Sequence, residues 1–229
     1  LKNKNINNVV ISTPHNLHTE LLIESLKNQK NVFIEKPLAI NERQLDDFIK
    51  FFKKNNKIPN FTVGFNRRFS KIVQIIKKHL IEVDSKNLIY TINAGTIEAD
   101  NNWLSDIKIS GNRIIGEICH FIDLIYYLIG SDIVDYSITS SNIQNYADDI
   151  NNSFIITLKF SNKSIATINY LTNGSNSFPK EKIDIFFNKS NIVIDNFKKI
   201  QCYNVSGLKN HSYMNQDKGH NEMVKKYLK

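Results

Sequence analysis

Three short apolar segments, two of them followed by helix-like segments, constrain the fold of this chain most strongly. They are Val9–Ile11, Val32–Ile34 and Phe61–Phe65, and they are rich in β-branched and aromatic residues. Such runs are typical of strands buried on both faces of a sheet. Strands that alternate with helices predict a parallel sheet with right-handed crossovers. Three strands make half of a doubly wound sheet, so we expect the other half to lie upstream of residue 1.

The segment between the second and third strands shows the clearest helical signals. Asn41 is a candidate N-cap, and Glu42 would lie in the first turn. Helical spacing predicts that the apolar side chains share the inner face of this helix; they are Leu45, Phe48, Ile49 and Phe52.

The pattern of apolar and polar residues changes in the second part of the chain. A connecting helix over 69–81 and an apolar helix over 113–129 are predicted. Short strand-like runs separated by turn residues favour an antiparallel sheet; they cover 88–93, 135–140, 153–160, 164–171, 182–187 and 192–194. The predicted fold is α/β plus α+β: the C-terminal half of a Rossmann-like doubly wound domain (1–66), then an open, mainly antiparallel sheet domain with helices on one face (67–217). Residues 218–229 would begin a truncated C-terminal helix.

Composition excludes several function classes. The 30 Lys and Arg against 22 Asp and Glu give a net charge of +8, but the basic residues are scattered pairs rather than one patch. We therefore expect no nucleic-acid partner. No apolar run approaches the roughly 18 residues of a membrane span, and the first eight residues lack the apolar core of a signal peptide. Two cysteines cannot form a disulfide scaffold, so a cytoplasmic protein is expected.

The segment Glu35-Lys36-Pro37 directly follows the second buried strand. Doubly wound sheets bind ligands at the carboxyl edge of their strands. A lysine there, partly desolvated beside Glu35, can donate a hydrogen bond to a substrate hydroxyl and help to move its proton. The alternative is a surface Glu–Lys pair before a turn.

A second polar segment leaves the first strand at the same edge, and it contains Thr13, Pro14, His15 and His18. A hydroxyl, a fixed turn and a following helix N-terminus suit contact with a ribose or a phosphate. An ordinary capped turn is the alternative. No metal is expected, because the two histidines have no third and fourth ligand nearby.

The apolar helix over 113–129 carries a polar stripe. Glu117, His120, Asp123 and Tyr127 share one face by i, i+3 and i+4 spacing. Ionisable groups on a largely buried helix must pair with each other or serve a site. His120 is therefore a candidate acid–base, and a satisfied core histidine is the alternative. The glycines at 111 and 116 have the outer spacing of a phosphate loop, but no Lys-Ser/Thr follows.

These motifs in this order resemble the glucose–fructose oxidoreductase/inositol dehydrogenase/MocA (Gfo/Idh/MocA) family of NAD(P)-dependent oxidoreductases. The matching segments are Thr13-Pro-x-x-x-His18, Glu35-Lys-Pro37, Val63–Phe69, Gly111–Asp123 and Asp217–His220. The resemblance implies that Lys36 contacts the reacting hydroxyl and that His120 exchanges its proton. It implies a cofactor cleft lined by Thr13, Pro14, His15, His18, Glu35 and Pro37, with a cis peptide before Pro37. Substrate contacts would come from Asn66, Arg67, Glu117 and Asp123.

Two departures from the family pattern stand out. Many members carry an Asp four residues before the catalytic His, where this chain has Gly116 with Glu117 beside it. No Gly-x-Gly-x-x-Gly loop is present, because the first glycine is Gly64. The cofactor would be NAD or NADP, yet we expect this chain by itself to bind it poorly and to be inactive.

The function that follows from the resemblance is hydride transfer between nicotinamide and a hydroxyl of a sugar, sugar-nucleotide or polyol. The alternative is a non-catalytic sugar-binding or assembly protein on the same fold. By analogy, copies of the chain could associate through the open sheet. If Lys36 and His120 act on one hydroxyl, their side-chain nitrogens should lie roughly 4–8 Å apart.

Overall fold

The computed structural model describes residues 1–97, 103, 106–141 and 151–228. The chain divides into two compact units. Unit 1 consists of Leu1–Phe65, Ala99–His120 and Val224–Lys229; unit 2 consists of Asn66–Glu98 and Phe121–Met223. The division after Phe65 lies one residue from the predicted boundary. The segments 99–120 and 224–229, predicted to belong to later domains, are part of unit 1.

The secondary structure follows the predicted order, with additions near the C-terminus. Among the described residues the strands are β1 (Asn8–Ile11), β2 (Asn31–Ile34), β3 (Phe61–Val63), β4 (Asn87–Asn93), β5 (Ile133–Ser140), β6 (Phe154–Phe160), β7 (Ile165–Leu171), β8 (Glu181–Phe187), β9 (Ser190–Asp195), β10 (Lys199–Tyr203) and β11 (His211–Ser212). The α-helices are α1 (His18–Lys27), α2 (Glu42–Lys54), α3 (Lys71–Leu80), α4 (Ile107–Ser110), α5 (Cys119–Ile129) and α6 (His220–Tyr227). The sequence patterns did not predict β10 and β11.

Unit 1 contains the predicted three-stranded parallel sheet, in the order β1-β2-β3. Its core is formed by apolar side chains of the strands and of α1 and α2: Ile11, Leu22, Leu26, Val32, Ile34 and Phe48. Asn41 caps α2, because its side chain accepts a hydrogen bond from the Gln44 amide at 2.9 Å. Because the three strands run parallel, their carboxyl ends meet at one edge of the sheet, as the α/β pattern predicted.

The predicted inner face of α2 is wrong for three of its four residues, because only Phe48 is buried. Phe48 is buried and its ring lies 5.4 Å from that of Phe61. Leu45, Ile49 and Phe52 are 43%, 38% and 48% exposed, respectively. The apolar stripe of α2 is therefore wider than the surface that the described part of unit 1 covers.

Unit 2 is built on an eight-stranded sheet in the order β11-β10-β9-β8-β4-β7-β6-β5. All neighbouring strands are antiparallel except β4 and β7, which run parallel. The inward side chains, such as Tyr90, pack on α5, where the Phe121 ring lies 5.1 Å from the Tyr90 ring. Outward residues such as Ile155 are exposed. The predicted open, mainly antiparallel sheet is confirmed.

The predicted helix over 113–129 is not uniform. It begins with a π-helical turn, Ile114–Ile118, and continues as α5. A π turn contains more residues than an α turn, so it rotates the side chains before it relative to those after it. Cys119, the first residue of α5, is half-buried. In the parts of the chain that the structure describes, no helix is long and apolar enough to cross a bilayer.

Candidate functional site

Lys36 is held at the carboxyl edge of the parallel sheet. The peptide between Lys36 and Pro37 is cis, as the resemblance implied. The Lys36 ammonium donates a hydrogen bond to the Gly116 carbonyl oxygen at 2.6 Å. Gly116 lies in the π-helical turn, four residues before His120. The sequence suggested a pair with Glu35, but the contact that fixes the amine is this backbone carbonyl.

Glu35 lies against the glycine that follows β3. A Cβ atom on Gly64 would be 3.0 Å from Glu35 Oε2. A side chain at this position would therefore push against the carboxylate. Because Gly64 has no side chain, the Glu35 carboxylate can remain beside the end of β3.

His18 joins the two loops that leave β1 and β2. The residue is fully buried, with Nδ1 2.7 Å from the Pro37 carbonyl oxygen and Nε2 2.9 Å from the Thr13 carbonyl oxygen. A side chain with both ring nitrogens at backbone carbonyls positions these loops and does not reach a ligand itself. The Thr13 hydroxyl oxygen is buried without a hydrogen-bond partner among the described residues, which suits a group that is bound from outside.

His15 lies beside the same glycine that holds Lys36. Its ring is 7% exposed, Nδ1 lies 2.8 Å from the Ser110 carbonyl oxygen, and the Trp103 ring packs edge-on at 4.8 Å. A Cβ atom on Gly116 would be 3.3 Å from Cε1 of His15. Burial lowers the pKa of His15; the bond to Ser110 opposes this shift, and the charge of Lys36 adds to it. The ring is therefore a neutral imidazole at pH 7.

His120 and Glu117 lie on the helix that Lys36 contacts. The His120 ring is half-buried and meets the Phe65 ring edge-on at 6.1 Å. Gly116, whose carbonyl oxygen accepts from Lys36, lies in the π-helical turn that directly precedes Cys119 and His120. Glu117 is 3.9 Å from the Arg113 guanidinium. The approach of Lys36 and His120 to one hydroxyl stays a prediction.

The other three predicted substrate residues belong to unit 2 and make internal contacts there. Arg67 donates two hydrogen bonds of 2.8 Å to Glu181. The Asn66 side chain donates to the Lys218 carbonyl oxygen at 2.8 Å. Asp123 accepts two hydrogen bonds from Arg68. Side chains that are paired in this way stabilise unit 2, and their contact with a substrate stays a prediction.

Glu181 is the centre of this buried network, and sequence reasoning missed it. Besides Arg67 it accepts hydrogen bonds from the Tyr90 hydroxyl and, at 2.6 Å, from the Lys218 ammonium. Burial alone would raise the pKa of Glu181, but the hydrogen bonds and charges of Arg67 and Lys218 outweigh it and lower the pKa to about 2. Burial raises the pKa of Asp123, and Arg68 opposes that shift.

Among the described residues, no group of three or more His, Cys, Asp or Glu side chains could hold a metal ion. The polar groups at the sheet edge are instead a hydroxyl, a carboxylate, an amine and imidazoles. These groups donate and accept hydrogen bonds and exchange protons, which is the chemistry of an organic cofactor and a hydroxylated substrate.

Open parallel sheets bind ligands, dinucleotides among them, at the carboxyl ends of their strands, and Lys36 lies at that edge in this chain. The family model described as "Oxidoreductase family, NAD-binding Rossmann fold" matches residues 1–65. Myo-inositol 2-dehydrogenase of Thermotoga maritima is 25% identical over 203 residues, which are 87% of this chain and 59% of that protein. 2,7-Anhydro-N-acetylneuraminate hydratase of Escherichia coli is 25% identical over 202 residues, 85% of this chain and 53% of that protein.

Among solved structures, a levoglucosan dehydrogenase in complex with NADH superposes with a TM-score of 0.76 at 20% identity; the match covers 95% of this chain and 64% of that one. This likeness shows the fold. Residues 1–65 thus match the NAD-binding model of this oxidoreductase family, and most of the chain is similar to sugar and polyol enzymes that carry the same fold. The chain spans between about half and three fifths of the length of these curated relatives, 59% and 53%.

Proposed function

We propose that the whole protein is an NAD(P)-dependent oxidoreductase that transfers a hydride between nicotinamide and a hydroxyl of a sugar, sugar-nucleotide or polyol. The observation that carries this proposal is the placement of the Lys36 amine, 2.6 Å from the Gly116 carbonyl at the carboxyl edge of the parallel sheet. The amine is thereby fixed on the turn that leads to His120. The sugar and polyol enzymes among the relatives support the substrate class.

The residues at the sheet edge fit a nicotinamide nucleotide. The buried Thr13 hydroxyl, without a partner among the described residues, can bond a ribose or phosphate oxygen. Glu35 is held beside Gly64 and can accept a hydrogen bond from a ribose hydroxyl. His18 and the buried Pro37 fix the two loops that carry these groups. When bound, the nicotinamide ring accepts or supplies the hydride.

Lys36 and His120 would handle the hydroxyl proton. A substrate oxygen that takes the place of the Gly116 carbonyl as acceptor keeps the ammonium near its observed position. The imidazole of His120 then accepts the proton as the carbinol becomes a carbonyl, and it returns the proton in the reverse direction. Correct placement of the two groups lowers the barrier because little reorganisation remains.

The second candidate is a sugar-binding protein without catalysis. It is favoured by Gly116, which leaves the position four residues before His120 without a carboxylate. The same cleft would then hold a sugar, while His120 lacks the carboxylate partner that would support it as proton acceptor.

The test is a turnover screen of the purified whole protein. NAD⁺ or NADP⁺ is mixed with myo-inositol, scyllo-inositol, glucose, levoglucosan or a sugar nucleotide, and the absorbance of reduced nicotinamide is followed. Calorimetry measures the binding of each compound in parallel. Turnover of at least one compound is expected. Binding without turnover would replace the proposal by the sugar-binding candidate, and neither binding nor turnover would contradict both.

We also propose that two copies associate through the outward face of the unit 2 sheet. This face carries exposed apolar side chains of 36–49% exposure, interspersed with polar side chains of the paired strands: Ile89, Ile155, Ile165, Leu171 and Phe186. Apolar area of this kind is normally covered in solution. Sedimentation should show a dimer or higher oligomer that Ile155→Lys dissociates, whereas Ile81→Lys, on an exposed residue after α3, should leave it intact. A monomeric wild-type chain would contradict the proposal.

A further inference from the structure

Two side chains of opposite hydrogen-bonding character lie against Gly116. On one side, the Lys36 ammonium donates to its carbonyl oxygen at 2.6 Å. On the other side, Cε1 of His15 is 3.3 Å from the position that a Cβ atom would occupy. The amine and the imidazole therefore lie at the same glycine. An alanine at 116 would press on the imidazole, which would have to give by a few tenths of an ångström.

The contacts of His15 fix which nitrogen is the acceptor. A carbonyl oxygen can only accept, so Nδ1, 2.8 Å from the Ser110 carbonyl, carries the hydrogen. In the neutral ring Nε2 then has a free lone pair. Nε2 makes no hydrogen bond to the described residues. It is also not among their polar atoms that are buried without a hydrogen-bond partner. Burial and the nearby charge of Lys36 both lower the pKa of His15 and keep the ring neutral.

The imidazole is also held in place before any ligand arrives. Ser110 fixes its Nδ1 edge, and the Trp103 ring packs against it at 4.8 Å. Gly116 closes a third side. A group that is positioned in advance loses little entropy when it binds, so its hydrogen bond discriminates strongly between ligands.

We propose that Lys36 and His15 together recognise a vicinal diol. Lys36 donates to the reacting hydroxyl, and Nε2 of His15 accepts a hydrogen bond from the neighbouring hydroxyl. Because both groups lie at Gly116, the amine, which donates, and the imidazole nitrogen, which accepts, can each bond one of two adjacent hydroxyls. The inference rests on the proposed function and narrows its substrates to polyols and sugars with two adjacent free hydroxyls.

The first test measures binding without turnover. The chain contains six histidines, so their ring nitrogens can be resolved by ¹⁵N NMR. We expect His15 in the Nδ1–H form, and we expect its Nε2 signal to shift with myo-inositol or cyclohexane-1,2-diol but not with cyclohexanol. His18, whose ring nitrogens both lie at carbonyls, is the internal control and should not move. A hydrogen on Nε2 of His15, or equal shifts with diol and monoalcohol, would overturn the proposal.

The second test uses His15→Phe in the whole protein. Phenylalanine keeps a ring beside Trp103 but lacks the acceptor. Loss of the acceptor should lower kcat/KM for the diol about tenfold to a hundredfold more than kcat/KM for cyclohexanol, mainly through KM. His211→Phe, on an exposed histidine, is the matched control. Equal losses for diol and monoalcohol would show that His15 does not read the second hydroxyl.

The two proposals fail in different ways. If the NMR shift appears with diols but no polyol or sugar is turned over, the proposed function is wrong and diol recognition stands. If turnover occurs while His15→Phe does not change the preference for diols, the proposed function stands and this inference is wrong. Gly116→Ala provides a check of the geometry, because it should weaken the diol preference of the wild type and have no further effect on that of His15→Phe.

Discussion

Replacing Glu181 by glutamine should destabilise unit 2 strongly. The side chain is fully buried and accepts hydrogen bonds from Arg67, Tyr90 and Lys218. A neutral amide of the same shape leaves two cations without their counter-ion, which costs about 3–5 kcal/mol for a buried pair. The pKa offers a second estimate: lowering a carboxyl from 4.5 to about 2 corresponds to about 3 kcal/mol. Both estimates give a loss of about 3 kcal/mol in the free energy of unfolding. This corresponds to a fall in Tm of about 6–12 °C for a chain of this size.

The pH dependence provides the sharper assay. The folded pKa of Glu181 lies below its unfolded value, so the unfolded state binds more protons as the pH falls from 4.5 toward 2. The stabilisation is therefore present above pH 4.5 and is lost below it. Urea unfolding of wild type and Glu181→Gln should differ most near neutral pH and converge at the acid end. Asp135→Asn, in the exposed pair with Lys159, is the control and should change little. A loss below about 1 kcal/mol at pH 7 would refute the reasoning.

Three further substitutions test other parts of the fold. Gly219→Ala should destabilise the chain by more than about 2 kcal/mol in urea unfolding, because a Cβ atom would lie 2.4 Å from two backbone atoms at a φ of +86°. His18→Ala should lower Tm, since it removes the ring between the loops after β1 and β2. Burial lowers the pKa of Lys86 to about 8 from 10.5, so the unfolded state binds more protons in that window; wild-type stability should rise from pH 8 to 10.5, and Lys86→Met should reduce that slope.

The sequence predicts those parts of the fold that local patterns determine. The three parallel strands, the Asn41 cap and the long apolar helix follow from periodicity and capping preference. The predicted burial is correct for β2 only, because Val10 of β1 is 67% exposed and β3 is half-buried. The cis peptide before Pro37 follows from the family resemblance. Each of these features depends on residues close in sequence or on a motif, so it is visible without the tertiary structure.

Features set by distant contacts could not be predicted in the same way. Arg67 and Glu181 are 114 residues apart, and nothing near Glu181 marks it as the partner of Arg67. The π-helical turn at 114–118 has no sequence signal other than Gly116, yet it is this turn that offers its carbonyl to Lys36. The short strand β10 pairs with β9. Its residues alternate between polar and apolar, but a run of five residues is too weak a signal to predict a strand.

The central claim is that Lys36 handles the hydroxyl proton of a substrate at the sheet edge. The most direct measurement compares kcat and Tm of Lys36→Met with those of wild type in the whole protein, with exposed Lys50→Met as the matched control. We predict a loss of about 10²–10⁴-fold in kcat with a fall in Tm of less than about 4 °C, since one hydrogen bond is lost. Lys50→Met should match wild type in both. Near wild-type kcat for Lys36→Met on a substrate that the wild type turns over would contradict the account.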